Sequence, residues 1–171
     1  MISGCSGGGK STLLAELRRR GHAVVEEPGR RVIARELRSG GSALPWIDMA
    51  TFAERAVEMS LADRDEAMGS SGWVFFDRGL IDALVALEHA SGRPSLHHAA
   101  KHPYSPLVFF TPPWAEFFAR DADRRHGWEE AVDEYARLRR GFNSLGYEIK
   151  VLPEVSVTER ADIVLDTVHG Y

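Results

Sequence analysis

The first dozen residues contain a pattern that suits phosphate binding. Gly4 is followed by four residues and then by Gly9-Lys10-Ser11-Thr12, which matches G-x-x-x-x-G-K-[ST] in full. Glycines let a backbone turn so that successive N–H groups point at phosphate oxygens, and the following helix adds its positive end. The predicted nucleotide contacts are Gly4, Gly7, Gly8, Gly9, Lys10, Ser11 and Thr12.

Two side chains of this pattern have more specific chemistry. Lys10 has the length to reach the β- and γ-phosphates of a nucleoside triphosphate, and the Ser11 hydroxyl is suited to ligate Mg²⁺. The apolar run Val74-Phe75-Phe76 ends on Asp77, the expected place for a second Mg²⁺-holding group. The sequence therefore predicts ATP and Mg²⁺ as cofactors, with GTP left open as the nucleotide.

The residues around Asp77 disfavour two classes of nucleotide hydrolase. Motor and transporter ATPases usually place a second acid next to this aspartate to activate water, whereas here the next residue is Arg78. Switch GTPases usually recognise guanine through an Asn-Lys-x-Asp run. The only asparagine of this chain, Asn143, lies in Phe142-Asn143-Ser144-Leu145.

Acidic residues also follow the short apolar run Ala23-Val24-Val25, as Glu26-Glu27-Pro28. Together, Asp77-Arg78-Gly79 and Glu27-Pro28 resemble the thymidylate and deoxyribonucleoside kinases. The resemblance implies that Glu27 is the base towards an acceptor hydroxyl and that Arg78 holds the acceptor or the transferring phosphate. Arg30, three residues after Glu27, is then expected to bind an anionic part of the acceptor.

The layout of nearly the whole chain is similar to a family of small AAA-domain P-loop ATPases, which includes a relative of the ribosylnicotinamide kinase domain of NadR. The shared features are the 4–12 loop, Glu27-Pro28-Gly29-Arg30, Asp77-Arg78-Gly79, Pro113-Trp114, the 120–125 stretch and Leu145-Gly146-Tyr147. The resemblance rests on their order and spacing, because only the loop is specific by itself. It implies the fold more strongly than it implies a substrate.

A charged segment at about 120–127 is predicted to form an arginine-rich lid. It carries Arg120, Arg124 and Arg125, and small P-loop kinases commonly close a basic segment over the triphosphate. Phosphoryl transfer needs cations around the equatorial oxygens and the exclusion of bulk water. We expect Arg124 to be catalytic and the other two arginines to contact the nucleotide, although Asp121 and Asp123 leave open a solvated connection instead.

Short apolar runs alternate with helical patterns along the chain, which predicts an α/β fold. The expected architecture is a three-layer P-loop NTPase fold, with a mostly parallel five-stranded sheet flanked by helices. Ligands bind such sheets at the carboxyl ends of the strands, and the clusters after Ile2, Val25 and Phe76 fall there. Residues 1–171 are expected to form one domain, and Ser156 with Glu159 predicts a capping box for the last helix.

Composition excludes several other classes. The chain has 171 residues, 44% of them apolar, and a formal net charge of −4, so it lacks the overall basic field that suits nucleic acid. No apolar run reaches the ~20 residues of a membrane helix. With one cysteine and no secretory signal, a cytoplasmic monomer or homodimer without membrane or nucleic-acid partners is expected.

These features predict an ATP-dependent phosphotransferase acting on a small hydroxyl-bearing metabolite, nucleoside- or nucleotide-like. Two alternatives remain. One is a nucleotide-binding ATPase switch that acts through a protein partner, which predicts hydrolysis that no small acceptor accelerates. The other, a nucleic-acid end kinase, is disfavoured by the net charge and by the lack of a basic stripe.

Overall fold

The computed structural model describes residues 1–114 and 127–170. Within these ranges the chain forms five short strands that pair in parallel. The strands are β1 (Ile2–Gly4), β2 (Ala23–Val25), β3 (Val74–Phe76), β4 (Leu107–Thr111) and β5 (Glu148–Val151). The prediction of a five-stranded parallel sheet in an α/β P-loop fold is confirmed.

The strands follow the order β2-β3-β1-β4-β5 across the sheet. β1 pairs directly with β4, whereas its contact with the β3 side is a single parallel bridge between Ile2 and Asp77. The Arg78 N–H donates to the Ile2 carbonyl at 2.9 Å and fastens this junction. As a result, the carboxyl ends of β1, β2 and β3 lie side by side, and each is followed by a predicted functional segment.

The described residues also form six α-helices and one 3₁₀ helix. They are α1 (Lys10–Arg19), α2 (Pro28–Ser39), α3 (Met49–Ala67), α4 (Leu80–Ser91), the 3₁₀ helix (Leu96–Lys101), α5 (Trp128–Ser144) and α6 (Val157–His169). α2 begins at Pro28, and proline is well tolerated in a first helical turn. None of the described helices is both long and apolar enough to cross a membrane. The predicted lid at about 120–127 lies outside the described residues, apart from Gly127.

Helices cover both faces of the sheet, as side-chain alternation in β4 shows. Val108 and Phe110 pack against buried residues of α4 and α5, whereas Leu107 and Phe109 pack against α1 and α6. All four side chains are at most 2% exposed. Burial on both faces is the reason why the strands are short continuous apolar runs. The two apolar layers fix the strand ends from which the functional residues project.

Candidate active site

The glycine-rich loop lies directly on the end of β4. The Cys5 N–H donates to the Thr111 carbonyl at 3.0 Å. Gly4 has a φ of 115°, and a Cβ atom added there would lie 2.3 Å from the Thr111 oxygen. A side chain at this position would therefore displace the loop. Gly9 has a φ of 71° and caps α1, so the helix begins where the pattern predicts a phosphate.

Lys10 is buried inside the curve of this loop. Its Nζ donates to the Cys5 carbonyl at 2.6 Å and to the Gly4 carbonyl at 3.4 Å. Burial and, next, the charge of Arg78 lower the pKa of Lys10, whereas Asp77 and Glu27 oppose this shift. The ammonium group thus sits at the centre of the loop, and its contact with the β- and γ-phosphates stays a prediction.

Ser11 and Asp77 meet where the loop faces the end of β3. The Ser11 Oγ donates to Asp77 Oδ2 at 3.3 Å, and Asp77 Oδ1 is buried without a hydrogen-bond partner. Burial raises the pKa of Asp77, and the nearby Lys10 counteracts it. A hydroxyl beside a carboxylate with a buried, unsatisfied oxygen is a donor set that suits Mg²⁺. Thr12, the other hydroxyl of the pattern, is exposed.

Glu27 occupies the turn between β2 and α2, where it is the N-cap residue of the helix. Its carboxylate forms an ion pair with Arg30 at 3.0 Å and lies 3.6 Å from Nε of Arg78. The side chain of Glu27 is 21% exposed, whereas that of Arg30 is 70% exposed. The structure therefore brings together the three residues assigned to the acceptor, with Arg30 at the rim.

Arg78 is the centre of an ionic cluster that the sequence did not reveal. Besides Glu27, its guanidinium contacts Glu134 at 2.9 Å and Asp82 at 3.7 Å, with the arginine side chain only 12% exposed. Burial by itself would lower the pKa of Arg78, but the charges of Glu134, Glu27 and Asp82 raise it. Arg78 is also the one non-glycine residue with a positive φ, 60°, in the part of the chain that the structure describes.

Asp82 and Glu134 are the two site residues that sequence reasoning missed. Asp82 is buried in α4 and accepts a hydrogen bond from the Ser3 hydroxyl; burial raises its pKa to about 6, against the opposing effect of Arg78. For Glu134 on α5, burial would raise the pKa, yet Arg78 and Lys10 hold it below the ordinary value. The i, i+4 spacing of Arg78 and Asp82 is a usable pattern for such a pair. Nothing in the sequence around Glu134 separates it from a solvated helix position.

A cleft of about 440 Å³ opens beside the cluster. It runs from Ser11 and Asp77 past Glu27 to the arginines of α2, Arg30 and Arg31. Arg31 is held by Asp63 of α3 through two hydrogen bonds of 2.7 Å. The volume lies within the range of small-molecule sites, ~300–1,000 Å³. The predicted lid residues Arg120, Arg124 and Arg125 lie outside the described residues.

The sheet order, the glycine loop and the acids at the strand ends define an α/β P-loop fold. A family model for the AAA domain matches residues 1–160, and this chain belongs to that family. No curated protein matches the sequence at a significant level.

Solved structures with the same fold have low sequence identity to this chain. Deoxyadenosine kinase from M. mycoides, solved with the products dCMP and a flexible dCDP bound, is 16% identical with a TM-score of 0.59, covering 99% of this chain and 97% of the other. Shikimate kinase from Acinetobacter baumannii in complex with shikimate is 12% identical with a TM-score of 0.59, covering 99% and 91%. At such identities the likeness shows the fold alone.

Proposed function

We propose that this protein is an ATP-dependent phosphotransferase whose acceptor is a small hydroxyl-bearing metabolite, nucleoside- or nucleotide-like. The observation that carries the proposal is the position of Glu27. Its carboxylate lines the same cleft as Ser11 and Asp77, the two residues suited to hold Mg²⁺. A base and a metal site on one cleft are what transfer to a hydroxyl requires.

The residues of the chain divide the reaction between them. The loop amides and Lys10 bind the triphosphate, and Ser11 with Asp77 holds Mg²⁺, which neutralises charge on the phosphates when bound. The acceptor oxygen forms a bond to the γ-phosphorus while the bond from that phosphorus to the β,γ-bridging oxygen breaks. Glu27 takes the hydroxyl proton, and the products are ADP and a phosphate ester.

Arg78 contributes to this arrangement mainly by orientation. The motif resemblance to the thymidylate and deoxyribonucleoside kinases predicts that Arg78 contacts the acceptor or the transferring phosphate, and that contact stays a prediction. Three carboxylates surround the guanidinium, and one of them is the proposed base. Such a buried cation beside Glu27 holds the carboxylate in one position at the edge of the cleft. Arg30, at the rim, would leave its exposed ion pair with Glu27 to bind an anionic acceptor group.

The cleft and the structural neighbours both support this class of acceptor. The cleft combines apolar residues such as Leu14 and Val24 with the carboxylate and guanidinium groups of Glu27 and Arg30. A compound with a flat or cyclic body, a free hydroxyl and further polar groups suits this lining. Deoxyadenosine kinase and shikimate kinase are named for acceptors of this kind, a nucleoside and a cyclic polyhydroxy acid.

Transfer of the γ-phosphate of labelled ATP to a panel of nucleosides, nucleotides and cyclic hydroxy acids tests the proposal. We expect at least one acceptor to become labelled. We also expect Glu27→Gln to lower transfer by about 10²–10⁴-fold, the usual contribution of a general base, with Mg·ATP binding retained. Glu26→Gln is the matched control, because Glu26 is the adjacent acid and pairs with the exposed Arg18.

The rival ATPase switch predicts a different result. Hydrolysis would then proceed at a rate that no acceptor changes, and Glu27→Gln would behave like Glu26→Gln. Either result, with a folded protein that binds Mg·ATP, would contradict the phosphotransferase and leave the nucleotide site intact.

A further inference from the structure

Arg160 on α6 lies against the glycine-rich loop, on a side that the mechanism above does not use. It is 5% exposed, and its Nη1 donates to the Gly8 carbonyl at 3.3 Å. A Cβ atom built on Gly9 would lie 2.8 Å from the same nitrogen. The indole of Trp114 covers the other side, with the guanidinium carbon 5.2 Å from the ring centroid. The cation is therefore enclosed between an aromatic ring and the backbone of the loop.

Within the described residues, the charge of Arg160 has no carboxylate partner. Among residues 1–114 and 127–170, no carboxylate forms an ion pair with it, and its Nε is buried without a hydrogen-bond partner. Burial lowers the pKa of Arg160, and no described charge opposes this shift. Arginine stays protonated in proteins even so. A buried cation that is not paired is costly, and an anion bound close by reduces that cost.

The contact with Gly8 also constrains the loop itself. In a trans peptide the C=O and the following N–H point in opposite directions. Because the Gly8 carbonyl is directed at Arg160, the Gly9 N–H is directed away from it. The phosphate-binding pattern requires the loop N–H groups to face the anion, and Gly9 has no side chain to restrain its backbone.

We propose that Arg160 is a positioning residue for polyphosphate binding: it holds the Gly8–Gly9 peptide in the orientation that presents the Gly9 N–H to a phosphate, and its charge attracts the anion to the loop. Trp114 maintains this arrangement by covering the guanidinium, a cation–π contact. The inference rests on the proposed nucleotide binding by the loop, but it does not depend on transfer to an acceptor.

Binding of Mg·ATP, Mg·ADP, tripolyphosphate and adenosine to the full chain, measured by calorimetry without any acceptor, tests this role. Arg160→Met keeps an unbranched apolar stem, shorter than that of arginine, and removes the charge. We expect it to weaken ATP, ADP and tripolyphosphate binding by at least about tenfold and to leave adenosine binding unchanged. Arg160→Lys keeps the positive charge but lacks the planar guanidinium group, so it should recover part of the lost polyphosphate affinity.

Arg20→Met is the matched control for a purely structural effect. Arg20 joins α1 to α6 through Glu16 and Asp162 but does not touch the loop. We expect Arg20→Met to lower the melting temperature of the free protein and to leave tripolyphosphate affinity unchanged. Arg160→Met should instead lower tripolyphosphate affinity without lowering the melting temperature.

Provided that the wild-type protein binds Mg·ATP, two results would overturn the inference. One is tripolyphosphate affinity of Arg160→Met within about twofold of wild type. The other is an equal loss of affinity in Arg20→Met. Failure of phosphate transfer in a protein that shows the expected Arg160 effect would count against the proposed function alone.

Discussion

The two halves of the candidate active site are built in opposite ways. The loop half is contiguous: residues 4–12 supply the backbone groups, Lys10 and Ser11, and only Asp77 comes from another strand. The acceptor half is assembled from distant segments, with Glu27 after β2, Arg78 after β3, Asp82 on α4 and Glu134 on α5. Backbone geometry forms the first half, and ion pairing between elements forms the second.

This difference determines how each half should respond to substitution. A contiguous loop held by glycines and by the end of β4 keeps its shape when one side chain is removed. Such a substitution should therefore lower ligand binding or the reaction rate while the free energy of unfolding changes little. A buried ionic cluster joins several elements, so the loss of its central cation leaves several carboxylates without compensation. Stability and chemistry should then be lost together.

The largest expected effect is on the loop half. Lys10→Ala should lower phosphoryl transfer or hydrolysis roughly 10³-fold, about 4 kcal/mol, because a preorganised cation at the phosphates is removed. Steady-state turnover with Mg·ATP measures the effect, and Lys101→Ala, an exposed lysine of the 3₁₀ helix, is the control. Unchanged nucleotide binding and turnover in Lys10→Ala would remove the basis for a nucleotide site in this loop.

The second effect concerns the acceptor half. Arg78→Met should lower the free energy of unfolding by about 4 kcal/mol, because three buried or half-buried carboxylates lose their shared cation. Arg30→Met removes one exposed partner of Glu27 and should cost well under 1 kcal/mol. Urea unfolding of both variants measures the difference. Equal stabilities would mean that the cluster does not hold the elements together.

The third effect is a pH dependence of the same cluster. Because burial raises the pKa of Asp82 from 3.8 to about 6, its protonation contributes stability that is complete below pH 3.8 and is lost as the pH rises through 6. Asp82→Asn cannot ionise, so its unfolding free energy relative to wild type should rise by roughly 3 kcal/mol between pH 4 and 8. Denaturation at a series of pH values measures this. An Asp82→Asn curve that runs parallel to the wild-type curve would contradict the assignment.

The smallest effect lies outside both halves. The Ser156 hydroxyl oxygen accepts a hydrogen bond from the Glu159 N–H, and the Glu159 carboxylate accepts one from the Ser156 N–H. Ser156→Ala should therefore cost about 1 kcal/mol in unfolding free energy, with no change in tripolyphosphate affinity. Thr158→Ala, inside the first turn, serves as the comparison. A change in affinity would show that α6 transmits cap stability to Arg160 and the loop.

Much of the fold was predictable because its determinants are local. Continuous apolar runs gave the strands, the glycine pattern gave the loop, and Ser156 with Glu159 gave a capping box that the structure contains. Glu27 and Asp77 were predictable as neighbours, since both follow parallel strands that end at one edge of the sheet. Glu134 was not predictable, because an acid on an amphipathic helix has the same local pattern whether it meets solvent or Arg78.

By itself the sequence determined the glycine-rich loop pattern, the parallel sheet and the edge of the sheet where the candidate site lies, because backbone freedom and apolar periodicity depend on nearby residues. Only the tertiary structure decided which groups surround the buried cations: it placed Asp82 and Glu134 beside Arg78, and the carbonyl of Gly8 beside Arg160. Electrostatic interactions depend on distance in space and on burial, and neither can be obtained from separation along the chain.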